Sequence, residues 1–235
     1  MDIQALKSTF HGELLEPASA GYDDARQIWN ASIDKRPRVI ARCSGVADVV
    51  AAVNFGRANN LVTAIRGGGH NVGGRALYDD GLVIDLSHMR AVHVDSANQT
   101  VRVQGGATLG DLDRETHVFG LAVPCGIVPK TGIAGLTLGG GVGWLLRKHG
   151  MSIDNLLSCQ TVIADGRVLG ASADENEDLF WGLRGGGGNF ALSPRSNSKR
   201  TRFIPSSGDS CSILETTQSM SSVIFVTSSQ PLPTN

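Results

Sequence analysis

The chain of 235 residues carries 21 Lys and Arg against 22 Asp and Glu, a net charge of -1 at pH 7, so neither a nucleic acid nor a membrane surface is offered an electrostatic grip. Its length suits one large domain or one and a half small ones, and its 41% apolar content is ordinary for a globular protein. With 30 glycines and only 5% aromatics, the chain must make many tight turns or bring its backbone close to something.

No apolar run approaches membrane length, and Met1-Asp2-Ile3-Gln4 lacks the basic start and apolar stretch of a signal peptide. A cytoplasmic protein is the expectation. Cys43, Cys125, Cys159 and Cys211 form no CxxC pair, which predicts packed free thiols rather than a metal site or disulfide framework.

In chain order, residues 1–15 place Ile3, Leu6, Phe10 and Leu14 at helical spacing, which predicts a short surface helix, and Gly21 to Lys35 reads as an irregular lead-in. Arg38 to Arg42 reads as a strand. Ser44 is placed to cap a helix carrying Val46, Val49, Val50, Val53 and Phe55. Leu61 to Ile65 is the next strand, so residues 38–66 predict a strand–helix–strand crossover joining a parallel pair.

That strand feeds Arg66-Gly67-Gly68-Gly69-His70-Asn71. Three side-chain-free residues let backbone amides converge on an anion such as a phosphate, and an imidazole follows at once. Leu82–Leu86, Ala91–Val94 and Thr100–Val103, separated by short turns, predict a mostly antiparallel sheet. Thr108 opens a helix running to Val118.

Pro124 to Trp144 is a second glycine-rich region, containing Thr131-Gly132-Ile133-Ala134-Gly135-Leu136-Thr137-Leu138-Gly139-Gly140-Gly141-Val142-Gly143. Gln160–Leu169 reads as a hairpin turning at Asp165-Gly166. Glu177 to Leu183 reads as a short helix before a third cluster, Gly185 to Gly188. Past Phe190 the only glycine is Gly208, and serine and threonine dominate. Residues 191–235 are expected to be a disordered tail.

No Walker A pattern, HExxH, GxSxG or clean GxGxxG occurs, which argues against P-loop, zincin, hydrolase and Rossmann readings. What remains is an ordered combination. It comprises a strand into Arg66–Asn71, a helix, Pro124-Cys125-Gly126-Ile127, the Gly132–Trp144 stretch, and Asp174 to Phe190. This combination resembles the FAD-binding half of the vanillyl-alcohol oxidase/berberine-bridge-enzyme class, FAD-linked oxidases with a PCMH-type domain.

The resemblance implies an α+β fold, with two α+β subdomains of a PCMH-type domain over residues 36–190, a lead-in of 1–35 and the tail beyond. It implies that Arg66, Gly67, Gly68, Gly69, His70 and Asn71 hold FAD, with His70 carrying a covalent link to the flavin. Pro124, Thr131, Gly132, Ala134, Gly135, Gly139, Gly140 and Gly143 would line the other side, and the main chain at Ile163 would meet the adenine. Members linked twice use a cysteine in the segment matching Gly126-Ile127-Val128-Pro129. Here Val128 takes that place, so a single link at His70 is expected, with Cys125 a packed thiol.

The implied activity is hydride transfer from a small-molecule CH–OH or CH–NH donor to covalent FAD, reoxidised by oxygen. The implied partners are that substrate and oxygen. The alternative is a truncated, non-catalytic flavin-binding fragment, because the substrate domain is absent and no catalytic residue is assigned.

The tail also admits a reading-frame explanation. Restoring one base after the codon of Phe190 lets permitted codons for Ala191 onward read Gly-Ile-Val-Thr-Ala-Phe-Glu-Phe-Lys-Thr-His-Pro-Val-Tyr. This alternates like a strand and resembles the family's continuation. Resequencing the gene across that codon tests it.

Overall fold

The computed structural model describes residues 3–189 and, beyond them, the backbone of 192–199, 201–202 and 225–227. The fold is α+β, built on two sheets. In chain order the first part gives α1 (Ile3–Lys7), β1 (Glu13–Leu15), α2 (Tyr22–Ala25), β2 (Val39–Arg42), α3 (Val46–Ala58), β3 (Thr63–Arg66) and β4 (Leu82–Asp85). The first sheet runs β1-β2-β4-β3, with β4 parallel to both β2 and β3 and β1 antiparallel at the edge.

Two expectations change here. β2 and β3 do run parallel, but β4 lies between them instead of joining an antiparallel sheet with the strands that follow it. Its run Leu82-Val83-Ile84 is apolar at every position and buried, which suits a central strand covered on both faces. The N-terminal residues are a short helix and then a strand, because Glu13–Leu15 can still pair with β2 and Glu13 meets Arg42 at 2.6 Å.

Alternation along these strands divides the core. Val39, Ala41, Leu82 and Ile84 face α1 and α3 together with Leu6, Phe10, Val49 and Phe55. Ile40, Val83 and Ala64 face the opposite way, onto Leu15, Tyr22, Ala25 and Leu77. Ser44 does not cap α3; Gly45 holds that position. The Ser44 hydroxyl and N–H instead donate to buried Asp48, at 2.7 and 2.9 Å.

The second part gives β5 (Val92–Asp95), β6 (Thr100–Gln104), α4 (Leu109–His117), β7 (Leu121–Ala122), α5 (Ile133–Leu138), α6 (Leu146–His149), β8 (Leu156–Val162), β9 (Val168–Ser172) and α7 (Glu177–Gly186). β10 (Leu192–Lys199), β11 (Thr201–Arg202) and β12 (Phe225–Thr227) complete it. The second sheet runs β5-β6-β12-β10-β8-β9. Its core gathers Val101, Val103, Leu109, Leu112, Ile133, Leu138, Ile153, Phe180 and Leu183 beneath α4, α5 and α7.

The helix expected from Thr108 forms as read. Thr108 accepts from the Asp111 N–H at 3.3 Å and its own N–H donates to Asp111 at 2.8 Å, a reciprocal cap. The β8–β9 hairpin also forms, turning at Asp165-Gly166.

Within the expected tail, the backbone of residues 192–199 forms β10, which pairs with both β8 and β6. The remainder of the expected tail, and Cys211, lie outside the described residues.

Candidate flavin-binding site

β3 ends at Arg66, and Gly67 follows directly beyond the carboxyl end of a parallel strand, where open sheets present ligand-binding loops. Across from it, Thr131–Ile133 is zipped to Ala107–Leu109. Leu109 N–H donates to Thr131 at 2.9 Å and Ile133 N–H to Ala107 at 3.0 Å. This clamp drives the two glycine loops together. A Cβ on Gly68 would sit 2.3 Å from the Gly132 nitrogen, and one on Gly132 would sit 2.3 Å from the Gly68 nitrogen. Only glycine on both sides permits that contact.

Between the loops opens a cavity of about 730 Å³, within the range of cofactor sites. Of the residues expected to hold the cofactor, Gly67, Gly68, Gly69, His70 and Asn71 wall one side. Thr131, Gly132, Ala134, Gly135 and Gly139 wall the other. Gly185–Asn189 form a further wall that the sequence reading did not assign to the site. Its signal was present in the third glycine cluster. α7 loses helical geometry at Arg184 and Gly185, which lets the chain turn along the cavity.

Five expected residues are placed elsewhere. The Arg66 guanidinium donates to the Ala25 carbonyl, and its Nε is buried without a partner. Pro124 is buried away from the cavity, and Gly140 lies outside its walls. Gly143 packs on the Cys125 carbonyl, which a Cβ would approach to 1.7 Å, so its small size serves packing. The Ile163 N–H donates to Arg167 at 3.0 Å and its carbonyl accepts from Gly166 at 2.9 Å, so its main chain closes the β8–β9 turn.

His70 is half-buried, and burial alone holds its pKa below the ordinary 6.5. The ring is therefore neutral at pH 7. Thr131 Oγ1 stands 3.5 Å from Nδ1, and the Trp29 indole stacks on the ring with centroids 5.4 Å apart. Cys125 is half-buried among apolar groups, and its thiol is pushed up to about 12, so it stays protonated and weakly nucleophilic. Ile127 and Val128 point outward, 57% and 46% exposed.

The walls fit a flavin dinucleotide by one further feature. Gly135 lines the cavity, yet a Cβ there would meet no protein atom within 4 Å. Its missing side chain leaves room for something other than protein.

The FAD binding domain model matches residues 37–172, more than half of the chain. The chain belongs to the FAD binding domain family. Its relatives place this FAD domain in the vanillyl-alcohol oxidase/berberine-bridge-enzyme-like class of FAD-linked oxidoreductases. (R)-6-hydroxynicotine oxidase of Paenarthrobacter nicotinovorans is 42% identical over 184 residues, covering 78% of this chain and 40% of that protein. Glucooligosaccharide oxidase of Sarocladium strictum is 38% identical, covering 81% of this chain and 38% of that protein. A solved glucooligosaccharide oxidase from Acremonium strictum, described with a 6-S-cysteinyl, 8α-N1-histidyl FAD, superimposes with a TM-score of 0.80 at 34% identity, covering 85% of this chain and 42% of that one. The chain thus spans about two fifths of the length of the relatives it matches. FAD is the cofactor of this domain.

Proposed function

We propose that the chain is the flavin-holding portion of an FAD-linked oxidase in which His70 carries the cofactor covalently through a ring nitrogen. The observation that carries this reading is a neutral imidazole at the end of a glycine loop, facing a cavity whose opposite wall leaves unfilled room at Gly135. When bound, the flavin supplies the electron chemistry, taking a hydride from a small CH–OH or CH–NH donor and passing electrons to oxygen to give hydrogen peroxide.

The protein's own part is to bind and hold. Main-chain amides of Gly67–Gly69 would donate to the diphosphate, since no side chain stands in the way. The neutral His70 ring keeps a nitrogen lone pair free for the link. Gly132–Gly139 and Gly185–Asn189 would close the other sides against water. The relatives named for a nicotine derivative and an oligosaccharide support donors of the amine and alcohol classes. The free thiols of Cys43, Cys125 and Cys159 support a reducing, cytoplasmic setting.

A second reading is that these residues hold flavin without turning over substrate, since among the described residues no carboxylate or tyrosine lines the cavity. One preparation tests both. The full chain is expressed, loaded with FAD and precipitated with acid, and peroxide is measured with sugars, secondary alcohols and amines. Flavin colour that stays in the pellet supports the His70 link, and colour released to the supernatant overturns it. Peroxide from the isolated chain would overturn the non-catalytic reading.

A further inference from the structure

The segment before residue 37, outside the family match, binds the Gly67–Asn71 loop at successive points. The Arg66 guanidinium donates to the Ala25 carbonyl. Ile28 lies against Gly69, with its Cγ2 3.4 Å from where a Cβ would stand. Trp29 N–H donates to the Gly69 carbonyl at 3.1 Å, and Asn30 Nδ2 donates to the Val72 carbonyl at 2.8 Å. Bonds therefore grip the loop on both sides of His70. Between them the Trp29 indole lies on the imidazole, with planes inclined by 23°, a stacked arrangement of two rings.

Trp29 is 60% exposed, so core packing does not account for it. An exposed indole buries little apolar area, and a smaller polar residue would serve a surface turn as well. What Trp29 does cover is the face of one histidine.

We propose that Trp29 is a positioning residue for the flavin attachment: its indole, strapped to the loop by the Trp29 and Asn30 hydrogen bonds, fixes the His70 ring in the orientation from which it links to the cofactor. The inference rests on the covalent reading of His70 above. Its physical basis is restriction. The three residues before His70 carry no side chains to define its rotamer, so its ring is restrained by contacts such as the Trp29 stack and Thr131 Oγ1, 3.5 Å from Nδ1, and attachment requires a ring nitrogen aimed at one carbon. The stack removes rotational freedom and water from one face. Burial lowers the His70 pKa, and the Trp29 indole is one of the groups lying against that ring.

The test compares the full wild-type chain with Trp29→Ala and Trp29→Phe. FAD is added to the apo chains, and acid-stable flavin is followed over time alongside noncovalent FAD affinity. His70 is titrated by NMR in the apo chains. Trp29→Ala is expected to slow attachment by about tenfold or more with affinity changed little. It should also move the His70 titration up toward its ordinary value. Trp29→Phe, which keeps a ring on the imidazole, should restore most of the rate. Attachment at the wild-type rate in Trp29→Ala, or an unmoved His70 titration, overturns the proposal. A wild-type chain that forms no acid-stable flavin sinks the covalent reading itself. The His70 titration in the apo variants then still decides whether Trp29 governs the ring.

Discussion

Gly132 and Gly135 stand three residues apart on one wall of one cavity, and they are glycine for opposite reasons. At Gly132 a Cβ would strike the Gly68 nitrogen at 2.3 Å, so the side chain is missing because protein occupies its place. At Gly135 a Cβ meets nothing within 4 Å, so the side chain is missing where the protein leaves space. The first glycine joins the two subdomains. The second faces the open cavity. One motif thus holds both a backbone contact and a cavity wall, and the residue type alone does not distinguish them.

Substitutions at the two positions should separate these roles. Gly132→Ala must push two backbones apart and is expected to cost about 3 kcal/mol, lowering Tm by about 10 °C and abolishing flavin uptake. A thermal melt of the apo chain checks it, and an unchanged Tm would refute the contact. His70→Ala leaves both glycines in place. It should remove all acid-stable flavin while noncovalent FAD still binds, as measured by fluorescence in the supernatant after precipitation. Gly135→Ala should do the reverse of Gly132→Ala in the apo chain. Within α5 an alanine stabilises by about 0.5–1 kcal/mol, so Tm should rise slightly, while the added methyl should weaken FAD affinity about tenfold. A Gly135→Ala chain that binds FAD as the wild type does would remove the cofactor reading of that wall.

Smaller effects test the surroundings of the site. Cys125→Ser should leave the flavin attachment unchanged, because a thiol pushed up to about 12 is no nucleophile at neutral pH. A flavin peptide containing Cys125, found by digestion and mass spectrometry, would contradict this. Asp48 anchors the first subdomain. Burial would raise its pKa, but hydrogen bonds from the His11 and Ser44 N–H groups and the Ser44 hydroxyl outweigh burial and hold it below 3.8. A depressed carboxylate contributes stability above its unfolded value and loses it as pH falls through the folded one. The advantage of wild type over Asp48→Asn, about 1–3 kcal/mol near neutrality, should therefore close as pH drops below 3.8. Urea melts at several pH values measure it.

Local chemistry was legible in the sequence wherever a residue and its partner lie close along the chain. The Thr108–Asp111 cap, the Asp165-Gly166 turn and the Arg66–Asn71 loop after a strand are all set by spacing of a few residues. So was the third glycine cluster, although its place in the cavity was not. Packing decided the rest. Leu82–Asp85 carries a buried apolar run that fits either sheet, and only the covering of both its faces puts it between β2 and β3. Gly143 and Ile163 have the right residue types for a cofactor wall, but the fold spends one on the Cys125 carbonyl and the other on a hairpin turn.

The sequence by itself determined the order of three glycine clusters around His70, which carries the resemblance to a FAD-binding α+β domain. That information is local and ordered, because backbone freedom and ring chemistry belong to single residues. Tertiary structure alone decided which glycines touch each other, which face open space, and that Trp29, 41 residues before His70, lies on its ring. Those facts arise from contacts between segments distant in the chain, and no periodicity records them.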